Sequence, residues 1–199
     1  MDFVKVKKKR VFINNGNLYL ESFNIERIRD IKRLKNYSGL KALYLEKNKI
    51  SKIESIDHLI NLKKLHLEFN LITEINGLDS LINLEDFELS GNQISKIENL
   101  NHLLKLKELL LNNNKIKKLE GLEKLVNLEH LDLSNNQIEI LDGIKNLKNL
   151  KYLNLSNNQI KDIDILAKLV NLETLEIKNN PISNLDILKK LKNLRQIKN

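Results

Sequence analysis

Acidic and histidine side chains recur at a fixed interval in the middle of the chain. Asp86, Glu108 and His130 stand 22 residues apart, and Glu88 and Asp132 lie close to them in the same segments. Carboxylates and imidazoles bind metal ions and transfer protons in general acid–base catalysis. A row of such groups on a surface open to water, with no supporting polar layer readable from the sequence, is weak evidence for either chemistry. We therefore expect no metal ion, no cofactor and no catalytic residue.

The same interval governs the apolar residues that must position these side chains. Seven copies of the frame L-x-x-L-x-L-x-x-N-x-I-x-x-I-x-x-L-x-x-L-x-x follow one another, and a half copy runs from Leu194 to Asn199. The full copies open at Leu40, Leu62, Leu84, Leu106, Leu128, Leu150 and Leu172. An unbroken repeat of this kind is typical of a solenoid, in which each rung buries its apolar residues against its neighbours.

Each repeat contains two hydrophobic periods. Leu65 and Leu67 alternate with polar residues, which predicts a short, half-buried strand. Ile50, Ile53 and Ile56 instead recur every third residue, and this spacing favours 3₁₀ turns over an α-helix. Equivalent strands would stack in parallel about 4.8 Å apart, with the bulkier return segments on the other side. We therefore predict an α/β solenoid with a parallel sheet on the concave face and mainly 3₁₀ or short helical turns on the convex side.

An asparagine occupies the ninth position of every full repeat. Its amide both donates and accepts hydrogen bonds, so it can pair main-chain groups that the turn after the strand leaves open. Because buried main-chain polar groups need partners, we predict a structural ladder. Its members are Asn48, Asn70, Asn92, Asn114, Asn136, Asn158 and Asn180.

Residues 92–100 (Asn-Gln-Ile-Ser-Lys-Ile-Glu-Asn-Leu) and 114–122 (Asn-Lys-Ile-Lys-Lys-Leu-Glu-Gly-Leu) show the frame clearly. They resemble the 22-residue class of leucine-rich repeats, which is shared by the nuclear regulator of type 1 protein phosphatase and the internalin adhesins. The resemblance covers residues 40–199. It implies two alternatives for function, a role like that of a phosphatase regulatory subunit and a role as an internalin-like adhesin.

The two ends of the chain depart from the frame. Residues 18–39 fit it in part, with Glu21 and Glu26 where leucine and asparagine are expected, so we predict a degenerate rung there. The sequence Asn14-Asn15-Gly16-Asn17 is a hairpin-turn signal, and segments 4–13 and 18–23 flank it. We predict an N-terminal cap over residues 1–39, a hairpin plus the degenerate repeat, and a repeat domain over 40–199. The half copy leaves open whether the C-terminal end is frayed, covered or continued.

The net charge of +8 is concentrated near the N-terminus. Residues 1–39 hold ten Lys and Arg against four Asp and Glu, whereas residues 40–199 hold 24 against 22. The basic segments 5–10 and 27–35 are either solvated faces or a site for nucleic acid or another acidic surface. The sequence contains no cysteine and no apolar run typical of a membrane span or secretory signal. We expect an intracellular protein, cytoplasmic or, in a eukaryote, nuclear.

The third, fifth and seventh positions of each repeat point away from the core along the strands. They carry seven acidic residues and three lysines, which argues against nucleic acid on this face. Aromatic and leucine side chains there are suited to anchor a protein or peptide of basic or mixed charge. We predict a non-enzymatic protein-binding scaffold, with the oligomeric state left open. The predicted binding residues are Tyr44, His66, Asp86, Glu88, Glu108, Leu110, His130, Asp132 and Tyr152.

Overall fold

The computed structural model describes residues 2–198. An antiparallel pair, β1 (Phe3–Val6) and β2 (Lys9–Phe12), precedes a parallel sheet of nine strands that follow one another in chain order. The nine strands are β3 (Asn17–Tyr19), β4 (Ala42–Tyr44), β5 (Lys64–His66), β6 (Asp86–Glu88), β7 (Glu108–Leu110), β8 (His130–Asp132), β9 (Tyr152–Asn154), β10 (Thr174–Glu176) and β11 (Gln196–Lys198).

The strands of the repeats pair without any shift in register. Leu43 lies opposite Leu65, Leu65 opposite Phe87 and Phe87 opposite Leu109. The central residue of each strand points into the core, while the residues before and after it point to the outer surface of the sheet. The predicted architecture is confirmed: this is a curved solenoid with its parallel sheet on the concave face.

The return segments turn every three residues. The amide of Leu59 donates to the carbonyl of Ile56 at 2.9 Å, and the amide of Leu62 donates to Leu59 at 2.9 Å, which is the 3₁₀ pattern. No α-helix is present within residues 2–198, so the preference for 3₁₀ turns is confirmed. The 3₁₀ helices are Ile28–Asp30, Leu34–Asn36, Asp142–Ile144, Asp164–Lys168 and Asp186–Lys190.

A single apolar core runs the length of the solenoid. The residues that recur every third position, such as Ile50, Ile53 and Ile56, are at most 2% exposed. Each rung shields the apolar edge of the next, so burial stabilises the array only when neighbouring rungs stack. Val4 of β1 lies at one end of the core, and Leu188 and Leu191 lie at the other end.

The N-terminal rung differs from the prediction in its register. Leu18 lies opposite Leu43, an offset of 25 residues (43 minus 18) rather than 22, so Leu18 holds the fourth position of a rung and not the first. Residues 37–39 make one additional turn, in which the amide of Leu40 donates to the carbonyl of Tyr37 at 3.2 Å. A slip of three residues preserves every apolar position of a three-residue period, and for that reason the sequence alone did not separate the two registers.

The hairpin also lies elsewhere than predicted. Asn14 and Asn17 do form a tight turn, in which their main-chain groups exchange hydrogen bonds of 3.0 and 2.8 Å. The strand that follows, β3, joins the parallel sheet instead of folding back on the segment before the turn. The antiparallel hairpin is β1–β2, and it turns at Lys7, which adopts a left-handed conformation. The boundary at residue 39 between cap and repeat domain stays a prediction.

Candidate protein-binding face

Six of the seven ninth-position asparagines are buried behind the strand ends, and Asn180 is half-buried. The Nδ2 group of Asn114 donates to the carbonyls of Leu89 and Leu111, both at 3.0 Å, and to that of Asn112 at 3.3 Å. Its Oδ1 accepts the amide of Ile94 from the preceding rung at 3.0 Å. One side chain therefore pairs four main-chain groups across two rungs, and this arrangement fixes where each strand turns away from the concave face.

The residue before each of these asparagines turns the chain sharply. In every full repeat it adopts a left-handed conformation, with φ between 52 and 67°. Asparagine and glycine tolerate this region better than other residues, which explains the Asn-Asn pairs of the later repeats. The eighth-position residues are Lys47, Phe69, Gly91, Asn113, Asn135, Asn157 and Asn179.

Aromatic rings line the N-terminal end of the concave face. The rings of Tyr19 and Tyr44 stack with centroids 4.6 Å apart, and the ring of His66 meets Tyr44 edge-on at 4.8 Å. Tyr19 was not among the predicted binding residues, because the three-residue slip in register hid its place in the fifth-position column. The three rings form a continuous apolar edge on adjacent strands β3, β4 and β5.

Four carboxylates surround the His66 imidazole. Nδ1 lies 3.8 Å from Glu46 Oε1 and 3.9 Å from Glu68 Oε1. Nε2 lies 3.3 Å from Asp86 Oδ2 and 3.5 Å from Glu88 Oε1. None of the five side chains is more than 19% exposed. We refer to Glu46, His66, Glu68, Asp86 and Glu88 as the His66 cluster.

Burial and neighbouring charges shift the pKa values of four members of the His66 cluster. Burial, together with the adjoining carboxylate of Glu88, raises the pKa of Glu68 to about 9. Burial also raises the pKa of Glu46. For His66, burial lowers the pKa, but the neighbouring carboxylates, Asp86 first, raise it above its ordinary value. For Asp86, burial acts to raise the pKa, but the neighbouring His66 and Lys64 outweigh burial and lower the pKa below its ordinary value. The cluster is thus a concentrated acidic site short of positive charge.

The middle rungs carry a wider acidic and aromatic surface. Asp132 accepts hydrogen bonds from the amide of Ser134 at 2.8 Å and from Asn154 Nδ2 at 3.2 Å. The Tyr152 hydroxyl donates to Glu176 Oε1 at 3.3 Å, and burial with the nearby carboxylates raises its pKa to about 12. Because these side chains are held in place, the surface is preorganised.

The predicted binding residues all lie on the sheet strands, but their surroundings differ. Leu110 and Glu108 are half-buried on β7, and His130 is exposed on β8. Asp86 is only 6% exposed and pairs with Lys64 Nζ at 2.9 Å, so it is not the open surface acid that the sequence pattern indicated. Asp86, Glu108 and His130 do face one another across adjacent strands.

The sequence analysis also missed a second row of asparagines at the last position of the repeat. Each donates from Nδ2 to the carbonyl of the residue 23 positions earlier. For example, Asn127 Nδ2 donates to the carbonyl of Leu104 at 2.8 Å. The spacing of these asparagines at 22 residues, interrupted by Lys105, was the available signal. The row consists of Asn61, Asn83, Asn127, Asn149, Asn171 and Asn193.

Comparison with known families agrees with this geometry. The family model described as "Leucine Rich repeats (2 copies)" matches six overlapping segments, residues 38–80, 60–102, 82–124, 104–146, 126–168 and 148–190. The chain belongs to the leucine-rich repeat family. A search of curated proteins gave no match.

Among solved structures, this leucine-rich repeat chain is similar to two internalins of Listeria monocytogenes str. 4b F2365. Internalin C2 (inlC2) is 27% identical with a TM-score of 0.86, over 97% of this chain and 86% of that one. The internalin inlF is 26% identical with a TM-score of 0.81, over 87% of this chain and 51% of that one. The chain therefore spans about half the length of inlF. Within residues 2–198, no helix is long and apolar enough to cross a membrane.

Proposed function

We propose that the chain is a non-enzymatic scaffold that binds a protein or peptide of basic or mixed charge on its concave face. The observation that carries this proposal is the composition of that face: buried or half-buried carboxylates lie beside ordered rings and an outward leucine. Leu110 and Tyr152 would supply apolar contact area, and Glu88, Glu108 and Asp132 would supply electrostatic complementarity. Membership of the leucine-rich repeat family supports an interaction role.

The test is an affinity capture from a lysate of the source cells at physiological salt, read by mass spectrometry. Two variants are compared with the native chain. The first variant combines Leu110→Ala, Asp132→Ala and Tyr152→Ala on the concave face. The control combines Leu104→Ala and Glu120→Ala, an exposed aliphatic residue and an exposed acid away from that face. We expect a protein retained by the native chain and the control, and lost with the concave variant. Equal retention by all three would move the binding site to a flank or to the cap.

A second candidate function rests on the N-terminal cap. The structure places the two basic segments side by side: the main chains of Lys5 and Lys32 exchange hydrogen bonds of 3.0 and 2.9 Å. The guanidinium groups of Arg10 and Arg33 lie 4.9 and 4.0 Å from the centroid of the Phe3 ring. This basic surface would bind nucleic acid or another acidic surface. Binding of a single-stranded oligonucleotide that weakens steeply with salt, and further with Arg10→Ala, would support this function.

The same capture experiment tests the two specific roles that the sequence resemblance implies. A type 1 protein phosphatase among the retained proteins would support the phosphatase regulatory role. The likeness in fold to inlC2 and inlF supports the adhesin alternative, for which the retained partner would be a surface protein of another cell. In each case the concave variant is expected to lose the partner.

A further inference from the structure

We propose that His66, Asp86 and Glu88 form a binding site for a divalent transition-metal ion of the zinc type. The site shares Glu88 with the protein-binding face proposed above, but zinc binding is measured on the chain alone and does not depend on that role. Its ligands come from two adjacent strands, β5 and β6, and all three lie in the part of the concave face that the rings of Tyr19 and Tyr44 border.

The spacing of the ligand atoms fits a metal ion better than it fits hydrogen bonds. Ligands 2.0–2.1 Å from a tetrahedral zinc ion lie about 3.3–3.4 Å from one another. Nε2 of His66 lies 3.3 Å from Asp86 Oδ2 and 3.5 Å from Glu88 Oε1, and all three ligand atoms fall within 4.8 Å. Despite these distances, Nε2 makes no hydrogen bond. An imidazole with two carboxylates is a donor set suited to zinc, with one position left for water.

Buried polar atoms without partners mark the same place. Among residues 2–198, five buried side-chain nitrogen or oxygen atoms make no hydrogen bond. Four of these belong to the His66 cluster: Glu46 Oε2, His66 Nε2, Glu68 Oε2 and Asp86 Oδ1. The Asp86 side chain is 9% exposed, and an unpaired buried oxygen on it is costly unless a cation compensates. Together with the ligand spacing, this concentration of unpaired atoms distinguishes the site from an ordinary acidic surface.

The other ring nitrogen of His66 faces the groups that commonly support a metal-bound histidine. Nδ1 points toward Glu46 and Glu68, at 3.8 and 3.9 Å. A carboxylate that accepts the N–H of the distal ring nitrogen fixes the tautomer and increases the basicity of the ligating nitrogen. The Glu46 and Glu68 side chains are therefore positioning residues in this proposal, while His66, Asp86 and Glu88 are the ligands.

Lys64 is the one cation that competes for the site in the described part of the face. Its Nζ lies 2.9 Å from Asp86 Oδ2, but its side chain is 51% exposed and free to move into solvent. A metal ion would displace this ammonium group or use the unpaired Oδ1 instead. Removing the ammonium charge should therefore strengthen metal binding, a response that metal bound elsewhere on the surface would not give.

The experiment is a calorimetric titration of the full chain, freed of metal by a chelator and then titrated with zinc chloride at neutral pH. Calcium chloride is titrated in parallel, and cobalt(II) absorption reports the geometry. We expect one zinc ion per chain, no comparable calcium binding, and the visible spectrum of a four-coordinate cobalt site. His66→Ala should weaken zinc binding at least about tenfold, and Lys64→Met should strengthen it.

The matched control is His130→Ala, because His130 lies on the same face with Glu108 and Asp132 nearby, yet no ligand group of the described residues includes it. We expect this variant to bind zinc like the native chain. Circular dichroism checks that each variant is folded. The proposal is overturned if zinc does not bind, if calcium binds as tightly as zinc, or if the two histidine variants lose affinity equally.

Discussion

The ring of Phe69 covers Gly91 on the neighbouring rung, so closely that a Cβ atom at Gly91 would lie 2.6 Å from Phe69 Cδ1. Both residues hold the eighth position of their repeats and both have positive φ, 54° and 67°. The later repeats place asparagine there. The Phe69 ring therefore occupies space that the lack of a side chain at Gly91 leaves open.

Gly91→Ala should lower the free energy of unfolding by about 1–3 kcal/mol, because it adds a steric clash to the cost of a left-handed alanine. Urea denaturation measures the change. Gly39→Ala is the matched control, since a Cβ atom at Gly39 would meet nothing within 4 Å. Adding Phe69→Asn to Gly91→Ala should recover the steric part of the loss. Equal effects of the two glycine substitutions would contradict this account of the packing.

The two rows of asparagines should differ in their contribution to stability. Asn114 pairs four buried main-chain groups, so Asn114→Leu should lower the free energy of unfolding by about 1–3 kcal/mol. Asn127 makes an exposed hydrogen bond to the carbonyl of Leu104, and Asn127→Ala should cost less than about 1 kcal/mol. Thermal melting of the two variants checks the ranking. An unchanged melting temperature for Asn114→Leu would refute the ladder's structural role.

The Tyr37 hydroxyl adds a side-chain link between the β1–β2 hairpin and the N-terminal rung. The Tyr37 hydroxyl accepts the amide of Phe3 and donates to its carbonyl, both at 3.1 Å. Tyr37→Phe should cost about 1 kcal/mol and should increase hydrogen exchange at the amides of β1. Tyr19→Phe, at a ring that is 53% exposed, serves as the control and should leave that exchange unchanged. Unaltered protection of β1 in Tyr37→Phe would show that the cap is held by other contacts.

The repeat frame made most of the fold predictable, because periods of two and three residues specify strands and 3₁₀ turns directly. The same three-residue period hid the register of the cap, since Leu18 fits an apolar position in either alignment. The strand positions also placed His66 on the concave face. They did not show that side chains from three neighbouring rungs bury its imidazole, because burial depends on side-chain rotamers and on neighbouring rings such as Tyr44 rather than on spacing.

Glu68 should make stability depend on pH. Its pKa of about 9 in the folded chain lies above the value of about 4.3 expected after unfolding. Between those values the folded state holds more protons than the unfolded state, so stability falls as pH rises through this window. Glu46, His66 and Glu88 face Glu68, and the raised pKa of Glu46 acts in the same direction.

Glu68→Gln should therefore raise the melting temperature at pH 8–9 and have little effect near pH 4, where the Glu68 carboxyl is protonated in the folded state and largely protonated in the unfolded state. The measurement is a series of thermal melts from pH 4 to pH 9 in the presence of a chelator, so that no metal ion masks the repulsion. Glu120→Gln, at a side chain 73% exposed, is the control and should show no such pH-dependent gain. A shift in melting temperature that is the same at both ends of the series would mean that Glu68 is ionised in the folded chain and that the His66 cluster is more open to water than its geometry indicates.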